Sequence, residues 1–262
     1  MGIVLKAAAP LLCREPRSRM IGWFELGWRP GPGRLFLTVL DHTVGENAMT
    51  RLQLALDEPD LDVSVARGRE LIDLVEIIEV GTPLVIEYGM ESVRRIREAC
   101  PGVEVLADLK VMDAGRLEAA LAFRAGADWV SVLGVAADAT VRGVLEAASD
   151  AGGRVLVDLI GCPDIPMRAA ELLRLGANML CVHTAFDCQE AGVGPLDELS
   201  QLLEVTPAER AAVAGGIRPE TLPAVAELAP EVVVVGGYLA CHSQPREAAA
   251  EMRELLTGEQ VR

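Results

Sequence analysis

Eight short apolar runs recur along the chain at a nearly regular pitch, and this repeat most constrains the fold. Successive runs end at similar intervals, the shortest from Gly215 to Gly236 and the longest from His183 to Gly215. The runs are continuously apolar and rich in Val, Leu and Ala, a pattern typical of parallel strands that are buried on both faces. The eight runs are Leu52–Leu56, Leu74–Val80, Val103–Ala107, Trp129–Leu133, Val155–Ile160, Met179–Val182, Ala211–Ala214 and Val232–Val235.

Amphipathic segments with helical spacing lie between the runs. Gly126, Gly152 and Gly176 follow such segments and predict helix C-caps. Eight strand–helix units in roughly 210 residues predict an α/β protein with a (β/α)8 TIM barrel. A doubly wound open sheet is the alternative, but it would not normally need eight repeating units. The clearest helical segments are Ser92–Cys100, Gly115–Arg124, Arg168–Leu175 and Glu247–Leu256.

Residues 1–48 differ from the rest of the chain. They hold six basic and four acidic residues, a charge of +2, so residues 49–262 carry −17 against a total of −15. No helix or strand period emerges in residues 1–48. Three interpretations remain open: a disordered extension, a translation start placed too early with the true start at Met49, or a small docking element. We favour Met49, and we predict an N-terminal extension over residues 1–48 and a catalytic barrel over residues 49–258.

Composition excludes several classes of protein. A net charge of −15 argues against a nucleic-acid partner, because no basic face could easily be assembled. No apolar run reaches the roughly 18 residues of a membrane-spanning helix, so no membrane partner is expected. The six cysteines show no CxxC pair. We therefore expect reduced thiols and a cytoplasmic protein.

Ionisable residues gather where the predicted strands end. Five of the eight runs have an ionisable residue within or just beyond their last positions, namely Asp57, Glu79, Asp108, Asp158 and His183. In (β/α)8 barrels the active site lies at the carboxyl ends of the strands. The plainer interpretation is a solvated rim around the barrel mouth, but random surface charge would not favour this end. The pattern predicts an active site there.

Lys110 is one of only two lysines in a chain with 22 arginines. It lies between Asp108 and Asp113, just after the third apolar run. A lysine ammonium is a compact charge whose pKa its surroundings can tune, whereas arginine scarcely gives up its proton. We therefore expect Lys110 to take part in the chemistry.

Two glycine pairs, Gly215-Gly216 and Gly236-Gly237, follow the seventh and eighth runs. Loops at these positions of a barrel often bind phosphate through backbone N–H groups, and glycine lets the backbone approach the anion. Arg218 could add positive charge or could simply begin a surface helix. The pairs predict a phosphate site.

Glu79 and Asp108 end neighbouring runs, and two converging carboxylates can bind Mg²⁺. The alternative is that Lys110 neutralises one of them. A lone histidine on an apolar strand is ordinarily a buried, hydrogen-bonded core residue. Because His183 lies at a strand end, we predict an acid–base role for it.

From about Arg51 to Leu256 the chain resembles the 3-hexulose-6-phosphate synthases of the orotidine-monophosphate decarboxylase suprafamily. The Asp-x-Lys-x-x-Asp element at Asp108–Asp113 marks the suprafamily. Glu79-Val-Gly-Thr-Pro83 and Val182-His-Thr-Ala-Phe-Asp187 narrow the resemblance to the synthases and the related 3-keto-gulonate-6-phosphate decarboxylases. At Thr184 and Phe186 the chain resembles the synthases more than the decarboxylases. The remaining matching segments are Leu52–Asp57, Ala214–Ile217 and Val235–Gly237.

The resemblance implies a Mg²⁺-dependent, reversible aldol reaction of ribulose 5-phosphate with formaldehyde that gives 3-hexulose 6-phosphate through a 1,2-enediolate. It implies that Glu79 and Asp108 ligate Mg²⁺, which stabilises the enediolate as a Lewis acid. His183 would move the C1 proton. Lys110 would stabilise the enediolate charge and, with Asp113, handle protons near the reacting carbon.

The resemblance also implies that Asp57 binds sugar hydroxyls and that Gly215, Gly216, Gly236 and Gly237 bind the phosphate. Relatives are homodimers in which the aspartate equivalent to Asp113 reaches into the partner's site, so a homodimer is expected here.

Ala185, Phe186, Tyr238 and the segment from Gly161 to Asp164 depart from the residues usual in the family. The reaction class is therefore better indicated than the substrate. Three other activities stay open: decarboxylation of a keto-sugar acid phosphate, an epimerase-type or other sugar-phosphate reaction, and sugar-phosphate binding without catalysis.

Overall fold

Eight parallel strands close into a barrel in a computed structural model that describes residues 50–189 and 194–258. Each strand pairs with the next along the chain, and the last pairs with the first. The predicted (β/α)8 architecture is therefore confirmed, and the open-sheet alternative is wrong. The predicted extension over residues 1–48, with its proposed start at Met49, lies outside the described residues.

Strands and helices alternate around the barrel. A short 3₁₀ helix, Ala208–Arg210, precedes the seventh strand. The strands are β1 Arg51–Leu56, β2 Ile77–Val80, β3 Glu104–Val111, β4 Trp129–Leu133, β5 Arg154–Asp158, β6 Leu180–His183, β7 Ala211–Ala214 and β8 Val232–Val235. The helices are α1 Leu61–Leu71, α2 Thr82–Tyr88, α3 Met90–Ala99, α4 Gly115–Arg124, α5 Asp138–Ala151, α6 Ile165–Leu175, α7 Phe186–Gln189, α8 Leu196–Leu203, α9 Leu222–Ala226, α10 Gly237–Ala240 and α11 Pro245–Thr257.

Five of the eight strands differ in their bounds from the apolar runs that predicted them, and β2 and β3 differ by three residues or more at one end. The second run begins at Leu74, but β2 begins at Ile77, because the backbone N–H of Leu74 donates to Leu71 and closes the turn after α1. The third run ends at Ala107, whereas β3 continues to Val111. The extension carries polar residues that an apolar pattern does not detect.

Helix ends follow the predicted glycine pattern. Gly152 caps α5 and Gly176 caps α6, both with positive φ angles. Gly126 follows the C-cap of α4 and has a φ of 102°. The predicted C-caps are confirmed at Gly152 and Gly176, whereas the C-cap of α4 is Ala125, one residue before Gly126.

Apolar side chains form two buried layers. The larger layer lies between the strands and the surrounding helices. The smaller fills the barrel interior, where Leu106, Leu156 and Cys181 are among the inward-facing side chains. Trp129, at the start of β4, donates from Nε1 to Glu104 at 2.9 Å, and Glu104 also pairs with Arg51 at 2.5 Å. These contacts connect the amino-terminal ends of β1, β3 and β4. Asp108, Asp158 and His183 lie toward the carboxyl ends of their strands.

Within the described part of the chain, no helix is both long enough and apolar enough to cross a membrane. The five cysteines in that part are all free thiols. Cys13 lies outside it.

Candidate active site

A cavity of about 1070 Å³ opens at the carboxyl ends of the strands. Its wall contains nearly every side chain and glycine that the sequence selects as a site residue, together with Asp158. Asp113 is the exception. The predicted site residues on the wall are Asp57, Glu79, Asp108, Lys110, His183, Gly215, Gly216, Gly236 and Gly237.

An irregularity in β3 places Lys110 in the cavity. Ala107 pairs with Val130 and Val111 with Val132, so β3 has two more residues than β4 over this stretch. Lys110 lies within it at a φ of 45°, a left-handed conformation that non-glycine residues adopt rarely. Its backbone N–H donates to Ser131 Oγ at 2.9 Å. Such strain is typical of residues whose position matters for function.

Asp108 is the most heavily hydrogen-bonded carboxylate of the site. Its Oδ2 accepts from Lys110 Nζ at 2.5 Å and from Thr82 Oγ1 at 2.7 Å, while its Oδ1 accepts from Ser131 Oγ at 2.6 Å. Burial opposes ionisation, but the nearby Lys110 ammonium and these hydrogen bonds lower the pKa of Asp108 below its usual value. Asp108 is therefore held as an anion in a fixed orientation.

Asp158, the last residue of β5, connects the two groups expected to move protons. Its Oδ2 lies 2.9 Å from His183 Nδ1 and 3.5 Å from Lys110 Nζ. Burial alone would lower the pKa of Lys110, but Asp108 and Asp158 raise it above its usual value. The sequence places Asp158 at a strand end but gives it no role, because nothing in it shows which neighbour Asp158 contacts.

Glu79 and Asp57 are the carboxyl groups whose ionisation the site opposes. Burial, followed by the charges of Asp108 and Asp57, raises the pKa of Glu79 well above its usual value. Burial and Asp108 raise the pKa of Asp57 as well. Lys110 is the only lysine in the described residues and cannot neutralise all of these carboxylates. The site therefore favours the arrival of a further positive charge.

A raised carboxyl pKa makes the folded protein less stable as the pH rises. Above about pH 4.5 the folded state binds more protons at Glu79 than the unfolded state does, so the free energy of unfolding falls through that window. Replacing Glu79 with glutamine removes this effect. We expect metal-free Glu79→Gln to melt about 2–6 °C above the wild type near pH 8 and to match it near pH 5. Scanning calorimetry in EDTA would measure the melting temperatures of the variant and the wild type at both pH values. Equal melting temperatures of the two proteins near pH 8 would contradict the expectation.

The two glycine loops follow β7 and β8 and complete the cavity wall between β6 and β1. Gly215 and Gly216 have φ angles of 103° and 68°. A Cβ on Gly215 would lie 2.4 Å from the backbone oxygen of Thr184, so only glycine fits there. Gly236 precedes α10, where Tyr238 donates its hydroxyl hydrogen to Glu251 at 3.1 Å, turning that hydroxyl toward α11. The backbone of these loops is therefore close to the cavity and can approach a phosphate.

Asp113 lies outside the cavity of its own barrel. It is exposed, and its Oδ1 accepts from the backbone N–H of Ala114 at 2.7 Å. The neighbouring apolar side chains Met112, Leu117 and Leu121 are also exposed. Leu117 and Leu121 are four residues apart on α4 and so share one side of that helix. Asp113 thus belongs to an apolar surface beside the cavity mouth.

Glu79 and Asp108 are the side chains suited to hold a divalent cation. Among residues 50–189 and 194–258, no three Asp, Glu, His or Cys side chains form a complete ligand cluster. Mg²⁺ is commonly bound by one or two carboxylates and completes its coordination with water and substrate. Two buried carboxylates in a site with excess negative charge fit such an ion.

A sequence profile of the orotidine 5'-phosphate decarboxylase / HUMPS family matches residues 50–252. The match spans the described barrel and contains every predicted site residue. The chain belongs to this family.

Within the family, the chain is most informatively compared with 3-hexulose-6-phosphate synthases. It is 40% identical to the Bacillus subtilis 3-hexulose-6-phosphate synthase over 205 residues, which cover 78% of this chain and 98% of the relative. A crystal structure of the Salmonella typhimurium synthase is 43% identical, covers 80% of this chain and 99% of its own, and superposes with a TM-score of 0.78. A 3-keto-L-gulonate-6-phosphate decarboxylase from Vibrio cholerae is 28% identical, with a TM-score of 0.71 over 79% of this chain and 97% of its own. The chain is an enzyme, a lyase of the 3-hexulose-6-phosphate synthase type.

Proposed function

We propose that this protein catalyses the Mg²⁺-dependent condensation of formaldehyde with ribulose 5-phosphate to 3-hexulose 6-phosphate through a 1,2-enediolate. One observation carries the proposal: Asp108, Lys110, Asp158 and His183 form a continuous chain of polar contacts inside one cavity. The names of the relatives support the substrates. The chemistry below follows from the side chains.

Substrate binding uses the glycine loops and the polar side chains of the cavity wall. The phosphate is bound by backbone N–H groups of the loops at Gly215-Gly216 and Gly236-Gly237, which can donate without adding charge. Asp57 lies close to Gly236, because a Cβ on that glycine would be 3.3 Å from its Oδ2. Asp57 accepts hydrogen bonds from sugar hydroxyls, and the carbonyl end of the sugar reaches Lys110 and His183.

Proton removal from C1 begins the reaction. His183 donates Nδ1–H to Asp158, which leaves the lone pair on Nε2 as the base. The C1–H bond breaks, its proton goes to Nε2, and its electron pair forms the C1–C2 double bond of the enediolate. At the same time the π pair of the C2 carbonyl moves to its oxygen, which becomes negatively charged. The Lys110 ammonium donates a hydrogen bond to the developing negative charge, usually the largest contribution to catalysis of this kind.

Carbon–carbon bond formation follows. The π pair of the C1–C2 double bond attacks the carbon of formaldehyde, and the charge on the C2 oxygen re-forms the C2 carbonyl. The π pair of formaldehyde moves to its oxygen, which becomes an alkoxide and takes up a proton. Lys110 and Asp113 handle this proton transfer. Each step can run backwards, so the reaction is reversible.

Glu79 and Asp108 are the proposed Mg²⁺ ligands. When bound, Mg²⁺ supplies Lewis-acid stabilisation of the negative charge on the substrate oxygens. Asp108 is already oriented by Thr82 and Ser131, so no further ordering of that carboxylate is needed when the ion binds.

A coupled assay with ribulose 5-phosphate and formaldehyde tests the reaction, with Mg²⁺ and with EDTA. We expect formaldehyde consumption with Mg²⁺ and none with EDTA. In D₂O without formaldehyde, NMR is expected to show exchange of the C1 hydrogen, because the enediolate forms before the aldehyde is needed. If purified, folded protein consumes no formaldehyde but releases CO₂ from 3-keto-gulonate 6-phosphate, the decarboxylase alternative is correct.

We further propose a homodimer in which Asp113 completes the active site of the partner subunit. The exposed apolar surface around Asp113 and its place outside its own cavity support this arrangement. Asp113→Ala is expected to lower kcat by about 10²- to 10⁴-fold, because it removes a group that handles protons. Sedimentation analysis is expected to give the mass of a dimer.

Mixing two inactive variants tests which subunit supplies Asp113. If homodimers of the Asp113→Ala and Lys110→Ala variants exchange subunits, each mixed dimer has one active site in which Lys110 and Asp113 are both intact. We expect recovery of about one quarter of wild-type activity after exchange, as twofold symmetry requires. No recovery from mixed dimers would place Asp113 in the site of its own chain or outside the chemistry.

A further inference from the structure

Gln53 is a buried polar residue on the floor of the cavity for which the proposed reaction has no role. It lies in the middle of β1, is 1% exposed and forms part of the cavity wall. Burying an amide among apolar side chains costs free energy unless its hydrogen bonds are satisfied. A leucine would pack in such a strand without that cost, so the amide calls for a functional explanation.

One half of the Gln53 amide is engaged with Glu79. Its Nε2 donates to Glu79 Oε2 at 2.5 Å. On the neighbouring strands Ala55 pairs with Glu79, so Gln53 lies one inward position deeper in the barrel. The amide therefore supports the carboxylate from below while Glu79 itself reaches the cavity wall.

The other half of the amide has no partner within the described residues. Gln53 Oε1 is one of three buried side-chain polar atoms there without a hydrogen bond, the others being Thr184 Oγ1 and Thr206 Oγ1. Of these three residues, only Gln53 is on the cavity wall. When Glu79 is ionised, as a cation ligand must be, turning the amide over would not help, because Oε1 would then face Glu79 Oε2 and two acceptors would meet. The unpaired oxygen needs a donor that the protein does not supply.

We propose that Gln53 is a positioning residue for divalent-cation binding, in which Nε2 holds Glu79 in place and Oε1 accepts a hydrogen bond from a water on the cavity floor. The inference rests on the proposed role of Glu79 and Asp108 as cation ligands. Residues behind a metal ligand fix its orientation, and their replacement typically weakens metal affinity by about 10- to 100-fold. Ordered waters commonly satisfy buried polar atoms that the protein leaves unpaired.

Mn²⁺ binding, followed by the EPR signal of the free ion, separates this role from a purely structural one. We expect Gln53→Met, which keeps the volume and removes both polar groups, to bind Mn²⁺ about 10- to 100-fold more weakly than the wild type. Its metal-free melting temperature is expected to stay close to that of the wild type, because the side-chain volume is kept. Gln53→Asn keeps the amide but withdraws it by one methylene, and it is expected to weaken Mn²⁺ binding too.

Thr206→Val is the matched control, since it also removes an unpaired buried oxygen. Thr206 precedes β7, at the opposite end of the strands from the cavity mouth. We expect its Mn²⁺ affinity to equal that of the wild type. Wild-type affinity in both Gln53 variants would overturn the proposal, as would a loss of metal-free stability in Gln53→Met with unchanged affinity. A wild-type protein that binds no Mn²⁺ and turns over fully in EDTA would instead overturn the proposed cation requirement, and this inference with it.

Discussion

Replacing Lys110 with alanine is expected to lower kcat/KM by about 10³-fold or more. Loss of one preorganised donor at a developing oxyanion costs about 10²- to 10³-fold, and loss of a proton-transfer group costs about 10²- to 10⁴-fold. Lys110 is positioned for both, since its Nζ lies 2.5 Å from Asp108 Oδ2 and 3.5 Å from Asp158 Oδ2 on the cavity wall. Steady-state kinetics with ribulose 5-phosphate and formaldehyde would measure the loss.

Two further variants separate the chemistry from the charge. Lys110→Arg keeps a cation among the carboxylates but replaces a compact ammonium with a planar guanidinium, so it is expected to fold and to remain at least about 10²-fold impaired. Lys6→Ala removes the only other lysine of the chain and is expected to be fully active. The proposed mechanism is wrong if folded Lys110→Ala retains activity within about tenfold of the wild type.

Asp158→Asn is expected to lower kcat by about 10³- to 10⁴-fold with little effect on folding. A carboxylate that accepts from Nδ1–H of a catalytic histidine fixes its tautomer, and the corresponding Asp-to-Asn change in a serine protease triad costs about 10⁴-fold. Asp158 accepts such a bond from His183 at 2.9 Å. An asparagine amide can donate to Nδ1 instead, which would turn the lone pair away from the substrate.

A double variant tests whether Asp158 and His183 act together. If Asp158 acts through His183, the double variant Asp158→Asn with His183→Gln should be no slower than His183→Gln alone, because groups that act together are not additive. C1 hydrogen exchange in D₂O should fall in parallel with turnover in all three variants. A loss below about tenfold in Asp158→Asn would show that the histidine does not depend on this carboxylate.

The barrel could be predicted from the sequence because its strands are buried on both faces. β4, β7 and β8 occupy the predicted apolar runs without any change of boundary. Eight such runs at a regular pitch leave few alternatives. The position of the site followed from this, because the end of each run indicates where its strand meets the cavity.

The irregular part of β3 could not be predicted in the same way. Asp108 and Lys110 interrupt the apolar pattern, so the sequence ends the strand at Ala107, whereas pairing resumes at Val111. The left-handed conformation of Lys110 depends on a partner across the sheet, Ser131, which is distant in the sequence. Tertiary contacts of this kind leave no local signal.

Contacts between side chains were the second feature that could not be predicted from the sequence. The sequence identifies Asp158 and His183 as strand ends but cannot pair them, because any two of five ionisable residues at one end of a barrel could meet. Gln53 was missed although it follows the same alternation as Ala55 in β1 and Asp57 just after it, and all three line the cavity. A polar residue at an inward position of an apolar strand is the signal that would have found it.

The ion pairs around Lys110 also bear on whether this lysine can form an imine with an aldehyde. An amine attacks an aldehyde only in its unprotonated form, and enzymes that use a lysine imine lower the pKa of that lysine to provide it. Here Asp108 and Asp158 raise the pKa of Lys110 instead. The same two carboxylates that position the ammonium therefore keep it protonated and oppose its attack on an aldehyde.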